Sequence, residues 1–165
     1  MTTIDQNERG IPAAPFIANV QEFVQGRHQD TLRSFQEMLQ KYQFMERHLL
    51  QRQLALARKT PEIRASRDWL PLLATAQRVD VELGDTLLVS AAVAPTATVG
   101  LWLGANVMLE FPVAEARELL ARKLASAETS QRQVHDDLAF LKTQITTMQV
   151  NMARVYNDSV QLKRK

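Results

Sequence analysis

The 165-residue chain has no cysteine, only five glycines, and aromatic residues at just 6%. The missing thiols exclude disulfides, thiolate catalysis and cysteine-based metal sites, and suit a reducing compartment. Scarce glycine beside abundant Gln, Ala, Leu, Arg and Glu suits long helices. No stretch reaches the ~18 apolar residues of a membrane span, and the opening MTTIDQNERG has no apolar core of signal-peptide type. A soluble, intracellular protein with no membrane partner is therefore expected. Residues 79–112 contain no Lys or Arg and four acidic side chains, although the whole chain carries a net charge of +2. If that stretch meets another protein, it should meet neutral or basic surface. Basic residues elsewhere are spread along helical faces without aromatic interleaving, which argues against nucleic acid.

Catalytic signatures are missing as well. His28, His48 and His135 lack a partner at metal-ligand spacing, and no H-E-x-x-H, phosphate loop or G-x-S-x-G occurs. Asp136 and Asp137 are neighbours that point apart on a helix, so they read as a solvated face and not as an acid/base pair. Gly100 and Gly104 bracket LWL with no helix start after them, so they read as turn and close-packing residues. Asn157-Asp158-Ser159 matches a glycosylation sequon that is accidental without a secretion signal. Neither an enzyme, nor a cofactor, nor a metal is expected.

What the chain does have is a β-coloured island, residues 79–111, between two helical stretches. Val79, Val81 and Leu83, then Val99, Leu101 and Leu103, then Val107, Leu109 and Phe111 recur with the period of two that marks strands. Two hairpins in series follow, turning at Gly84-Asp85 and at Gly104-Ala105-Asn106 and joined across Ala94-Pro95-Thr96. A fragment this short and apolar leaves edges whose N–H and C=O groups need partners, so it is expected to complete a sheet with strands of other chains.

Ahead of the island, Phe16, Ile17, Val20, Phe23 and Val24 follow Pro15 at helical spacing and predict a short amphipathic helix over 10–25, docked on the chain's own helices or left for a partner. Gly26 ends it, and residues 28–31 read as a connector with an N-cap. Phe35, Tyr42, Leu49, Leu56, Ile63 and Leu70 then lie seven apart and predict a coiled-coil helix over 31–78, with Pro61 either kinking it or starting a new helix behind Thr60, and Pro71 posing the same question. After Pro112 the pattern is stronger. Leu120, Ala127, Val134, Leu141, Met148, Val155 and Leu162, with Leu124, Leu138, Ile145 and Met152, predict one continuous helix over 112–163. Its last turn is basic, Lys163-Arg164-Lys165, as the helix dipole prefers. The whole reads as a single domain, 1–165, mainly α with a small β region: a long antiparallel coiled coil linked by two β-hairpins.

Four runs in the chain, GIPAAPF, KYQFMERHL, GLWLGANVMLEFPVAEARELL and FLKTQITTMQVNMARVYN, closely resemble the prefoldin subunit 3 family, α-class subunits of eukaryotic prefoldin also described as von Hippel-Lindau binding proteins. The resemblance runs from Gly10 to Gln161 and departs from the family in the join from Trp69 to Arg78, which is shorter and richer in proline. It implies a heterohexamer of two α-class and four β-class subunits whose hairpins build an intersubunit β-barrel platform from which six coiled coils hang. It also implies ATP-independent capture of non-native polypeptides, notably nascent actin and tubulin, for delivery to the cytosolic group II chaperonin, in the cytoplasm and also the nucleus. Carried over to this chain, assembly falls on Val89, Val99, Leu101, Trp102, Leu103, Val107, Met108 and Leu109, and client contact on the coiled-coil ends at Phe35, Leu39, Met152, Val155, Tyr156 and Leu162. The alternative is a coiled-coil adaptor or scaffold that binds one folded partner.

Overall fold

A computed structural model describes residues 6–75 and 77–163; Arg164 and Lys165 of the basic tail lie outside them. Helix α1 is Val20–Val24, α2 His28–Trp69 and α3 Val113–Lys163, with a 3₁₀ segment Leu70–Ala74 and strands β1 Gln77–Gly84, β2 Leu87–Val93, β3 Thr98–Gly104 and β4 Val107–Pro112 between the long helices. Contacts divide the chain into two compact units, one of the residues up to Ala55 with those from Gln131 on, the other of Leu56–Ser130.

In the first unit the early heptads of α2 pack antiparallel on the late heptads of α3. Phe35, Tyr42, Leu141, Met148 and Val155 form its buried core together with Ile17 and Val24 from the segment before α2. That segment is where sequence and structure differ most. The helix predicted over 10–25 exists only as Val20–Val24, begun by Asn19, whose side chain accepts from the Glu22 N–H, and ended by Gln25 at φ 49° and Gly26 at φ 82°. Pro12 and Pro15 supply no N–H to a helical ladder, and residues 11–19 lie as an irregular strap along α3. The connector predicted at 28–31 is already the first turn of α2, where Asp30 suits the positive helix end and the Thr31 hydroxyl donates to the Arg27 carbonyl at 2.8 Å.

In the second unit Leu70, Ala116 and Leu120 make a smaller core, with Ile63, Leu73, Val99, Leu101, Phe111 and Val113 packed on it. Helix α2 runs through Pro61 without restarting. Thr60 is buried, and its hydroxyl donates back to the Leu56 carbonyl at 2.8 Å, the pattern of a helix interior and not of an N-cap. The helix stops at Trp69 and not at residue 78, because Pro71 sits in the first turn of the 3₁₀ segment that replaces its end. Arg64 and Glu128 form an exposed ion pair at 2.7 Å between α2 and α3, which contributes little in water.

The strands form two separate two-stranded antiparallel sheets, β1-β2 and β3-β4. The second turns through Ala105 and Asn106 at φ 49° and 62°, the paired left-handed residues that match hairpin twist, after Gly104 at φ 99°. The β3-β4 hairpin is tied in at both ends: the Thr96 N–H donates to the Leu73 carbonyl and the Val113 N–H to the Ala97 carbonyl, each at 3.0 Å.

Candidate functional site

Alternation along β3 and β4 puts two kinds of surface on one hairpin. Val99 and Leu101, paired with Phe111 and Leu109, face the chain's own core, and Val99, Leu101 and Phe111 pack on it. Trp102 and Met108 stand directly opposite one another on the other face, 58% and 59% exposed. Large apolar cross-strand neighbours left uncovered in this way are the kind of surface that marks an interaction site. Gly100 leaves the room: a Cβ there would lie 3.2 Å from the Met108 sulfur. Leu103, Val107 and Leu109 are also exposed.

On the first hairpin Val81 and Val89 pair across the ladder, and Leu87 and Leu88 follow, all four exposed. Among the described residues β1 pairs only with β2, and β3 only with β4, so each strand keeps one open edge. Of the residues expected to carry assembly, the structure gathers Trp102, Leu103, Val107, Met108 and Leu109 on one exposed hairpin and Val89 on the other, while Val99 and Leu101 are half-buried against their own chain.

The residues expected to touch clients are divided differently. Phe35 and Val155 are buried in the core of the first unit, with Leu39 and Met152 half-buried beside them. Tyr156 and Leu162 are exposed. What covers the buried ones is the whole segment before α2, with Phe23 of α1 stacked on Phe35 at 6.0 Å between ring centroids, and the residues that hold that segment include a third, polar heptad series on α3, Asp137, Gln144, Asn151 and Asp158. Asp137 is buried and not solvated: it is ion-paired with Arg9 at 2.7 Å and accepts from Asn7 at 2.8 Å. Gln144 Oε1 accepts from the Ala14 N–H at 2.8 Å. Asn151 Oδ1 accepts from the Ile17 N–H at 3.2 Å while its Nδ2 donates to the Pro15 carbonyl at 2.7 Å. Arg154 donates to the Ile17 carbonyl and, at 2.9 Å, to that of Ala18, and its guanidinium lies 5.1 Å over the Phe16 ring. From α2, Tyr42 donates its hydroxyl to the Pro12 carbonyl at 2.9 Å. The seven-residue spacing of the four polar side chains was the available signal, since a polar heptad position beside two apolar ones widens the face a helix can bury.

The series ends at Asp158, whose Oδ2 lies 2.8 Å from His28 Nε2 and whose Oδ1 accepts from Gln21 at 3.3 Å. The His28 bond, more than its desolvation opposes, holds the Asp158 carboxyl below the ordinary carboxylate range. A carboxyl depressed in the folded state lends stability that is present above its ordinary pKa and lost as pH falls through the folded value. Amide exchange over residues 20–28 should therefore accelerate on acidification below about pH 4 once intrinsic rates are corrected. Asp158→Asn should flatten that dependence; an unchanged acid profile in the variant would contradict the pairing.

Among the described residues no group of three metal-capable side chains comes together, and no helix is long and apolar enough to cross a membrane. The arrangement presents surface and a held segment, with no convergence of acid, base and nucleophile.

Comparison with known proteins completes the picture. A family model described as Prefoldin subunit matches residues 42–158. Prefoldin subunit 3 of Elsinoe fawcettii is 47% identical over 167 residues, covering 96% of this chain and 85% of that protein. The probable prefoldin subunit 3 of Schizosaccharomyces pombe is 45% identical over 163 residues, 96% of each. Human prefoldin subunit 3 is 39% identical over 166 residues, 94% of this chain and 84% of that one. Among solved structures, filamentous PFD from Methanocaldococcus jannaschii is similar in fold, with a TM-score of 0.54 at 20% identity, covering 70% of this chain and 98% of that one.

Proposed function

Because this chain belongs to the prefoldin subunit family, a family of co-chaperones and not of enzymes, we propose that it works as one α-class subunit of a cytoplasmic heterohexamer of two α-class and four β-class subunits. The complex takes up non-native polypeptides, nascent actin and tubulin among them, and passes them to the cytosolic group II chaperonin without nucleotide hydrolysis. Its hairpins join those of sibling subunits in the platform, through Trp102, Leu103, Val107, Met108 and Leu109 on one and Val89 on the other, with Val99 and Leu101 backing them. Its coiled-coil end meets the client at exposed side chains such as Tyr156 and Leu162.

The observation that carries this reading is the pair of hairpins with open edges and uncovered apolar faces, whose one basic residue is Arg78 near the start of β1. Such a surface is costly in water and matches strands of neutral or basic siblings. Client contacts on rods are individually weak, so holding depends on many simultaneous touches across the complex. The test is light scattering. Denatured actin diluted into the assembled complex should aggregate several-fold less than in buffer, with no nucleotide added. Undiminished scattering, with 1:1 binding to a native protein instead, would favour an adaptor.

A further inference from the structure

The strap is seated in the way a ligand is. Residues 11–19 lie outside any helix or sheet, and α3 and Tyr42 hold them mostly by the main chain: the amides of Ala14 and Ile17 and the carbonyls of Pro12, Pro15, Ile17 and Ala18 each meet a side chain of the coiled coil. Asn151 grips the carbonyl and the amide that flank Phe16, the two groups that point the same way in an extended peptide. Contacts of this kind read a backbone and leave the side chains free to vary. Between these polar anchors Ile17 enters the core that holds Tyr42, Met148 and Val155, with Ile11 and Ala14 half-buried against it. Between the strap and α2 lies an open, mainly apolar depression lined by Pro12, Pro15, Met38, Tyr42, Phe44 and Met45, so apolar surface of α2 extends beside the occupant.

We infer that this groove on α2 and α3 is a binding site for an extended apolar segment of a non-native polypeptide, and that residues 11–19 occupy it in cis as a built-in competitor. The inference rests on the chaperone reading above and adds to it a place, a binding mode and a control. Gln144, Asn151 and Arg154 of α3, with Tyr42 of α2, supply the donors and acceptors that meet main chain, so a client needs only free amides, carbonyls and a branched or aromatic side chain where Ile17 now sits. Val155 lies in the same core as Ile17 and forms the floor of the groove, while Phe35 beside it is stacked by Phe23 of α1.

The test uses the full chain in its assembled complex and a fluorescein-labelled peptide of residues 9–24, RGIPAAPFIANVQEFV. Ile17→Asp should release the strap and raise affinity for the peptide about tenfold over the unmodified complex, the effect of freeing a groove that the strap occupies about nine-tenths of the time. Arg9→Ala, which removes the outer ion pair with Asp137 and the bond to the Gln133 carbonyl, should move affinity in the same direction by a smaller factor and serves should Ile17→Asp disturb folding. In the released complex, N-methylation of the peptide at the residues equivalent to Ala14 and Ile17 should weaken binding about tenfold. Replacing the Phe16 equivalent should weaken binding less than N-methylation does, by the cation–π contact with Arg154 alone. Equal peptide binding by the unmodified and both strap variants, or indifference to N-methylation, would overturn the inference. Scattering of denatured actin is read in parallel. Loss of suppression by the unmodified complex would instead remove the chaperone reading, and suppression with no response to the strap would remove this inference alone.

Discussion

Replacing Trp102 and Met108 together by aspartate should leave the two long helices formed and prevent the chain from entering the proposed hexamer. Both side chains are more than half exposed on the face of β3-β4 turned away from the chain's own core, so the isolated chain should lose well under about 1 kcal/mol. In an interface the balance is different. Covering a Trp and a Met stabilises by roughly 1.5–3 kcal/mol each, and a carboxylate placed there without a partner costs several more. The combined loss of about 5 kcal/mol or more corresponds to a drop beyond a thousandfold in assembly constant. Far-UV circular dichroism and size-exclusion chromatography with the partner subunits read the two halves of this result. Full incorporation of the double variant would remove the β3-β4 face from the platform. Leu101 is a poorer choice for such a test, because it packs against the core of its own unit and a charge there would disturb the fold as well.

The second large effect is on stability. Leu141 has no exposed surface and lies in the first unit's core with Tyr42 and Met148. Leu141→Ala should cost about 2–5 kcal/mol through lost burial and an unfilled cavity, lowering the melting temperature by roughly 5–15 °C. Tyr156→Ala, on the same helix but exposed, should shift it within about 2 °C. The contrast isolates burial from helix propensity, since alanine is the better helix former in both exchanges. A melting temperature unchanged by Leu141→Ala would mean that α2 and α3 do not pack as described.

Periodicity made the strands, the turns at Gly104–Asn106 and the 51 residues of α3 legible, because each rests on local geometry that a repeat of two or seven records directly. The end of α2 was not, for Leu70 continues the heptad phase while Pro71 forces a 3₁₀ turn. The strap misled for a related reason. Ile17, Val20 and Val24 are spaced as on a helix, yet only the last two lie within α1. Ile17 reaches the core from irregular backbone whose hydrogen bonds go to α3 side chains 130 or more residues away in sequence. No local pattern reports such partners. Of the expected site residues, exposure separates Trp102 and Met108 from Leu101, and Tyr156 from Val155, a distinction that an alternating or heptad pattern does not carry until the facing elements are known.

The account depends most on the hairpin edges and faces being closed by sibling subunits. Hydrogen–deuterium exchange over residues 77–112, compared between the isolated chain and the assembled complex, measures this directly. Amides on the open edges of β1 to β4 should exchange quickly in the isolated chain and gain strong protection on assembly, while those in the middle of α3 change little. Equal exchange of the hairpin amides in both states would contradict it.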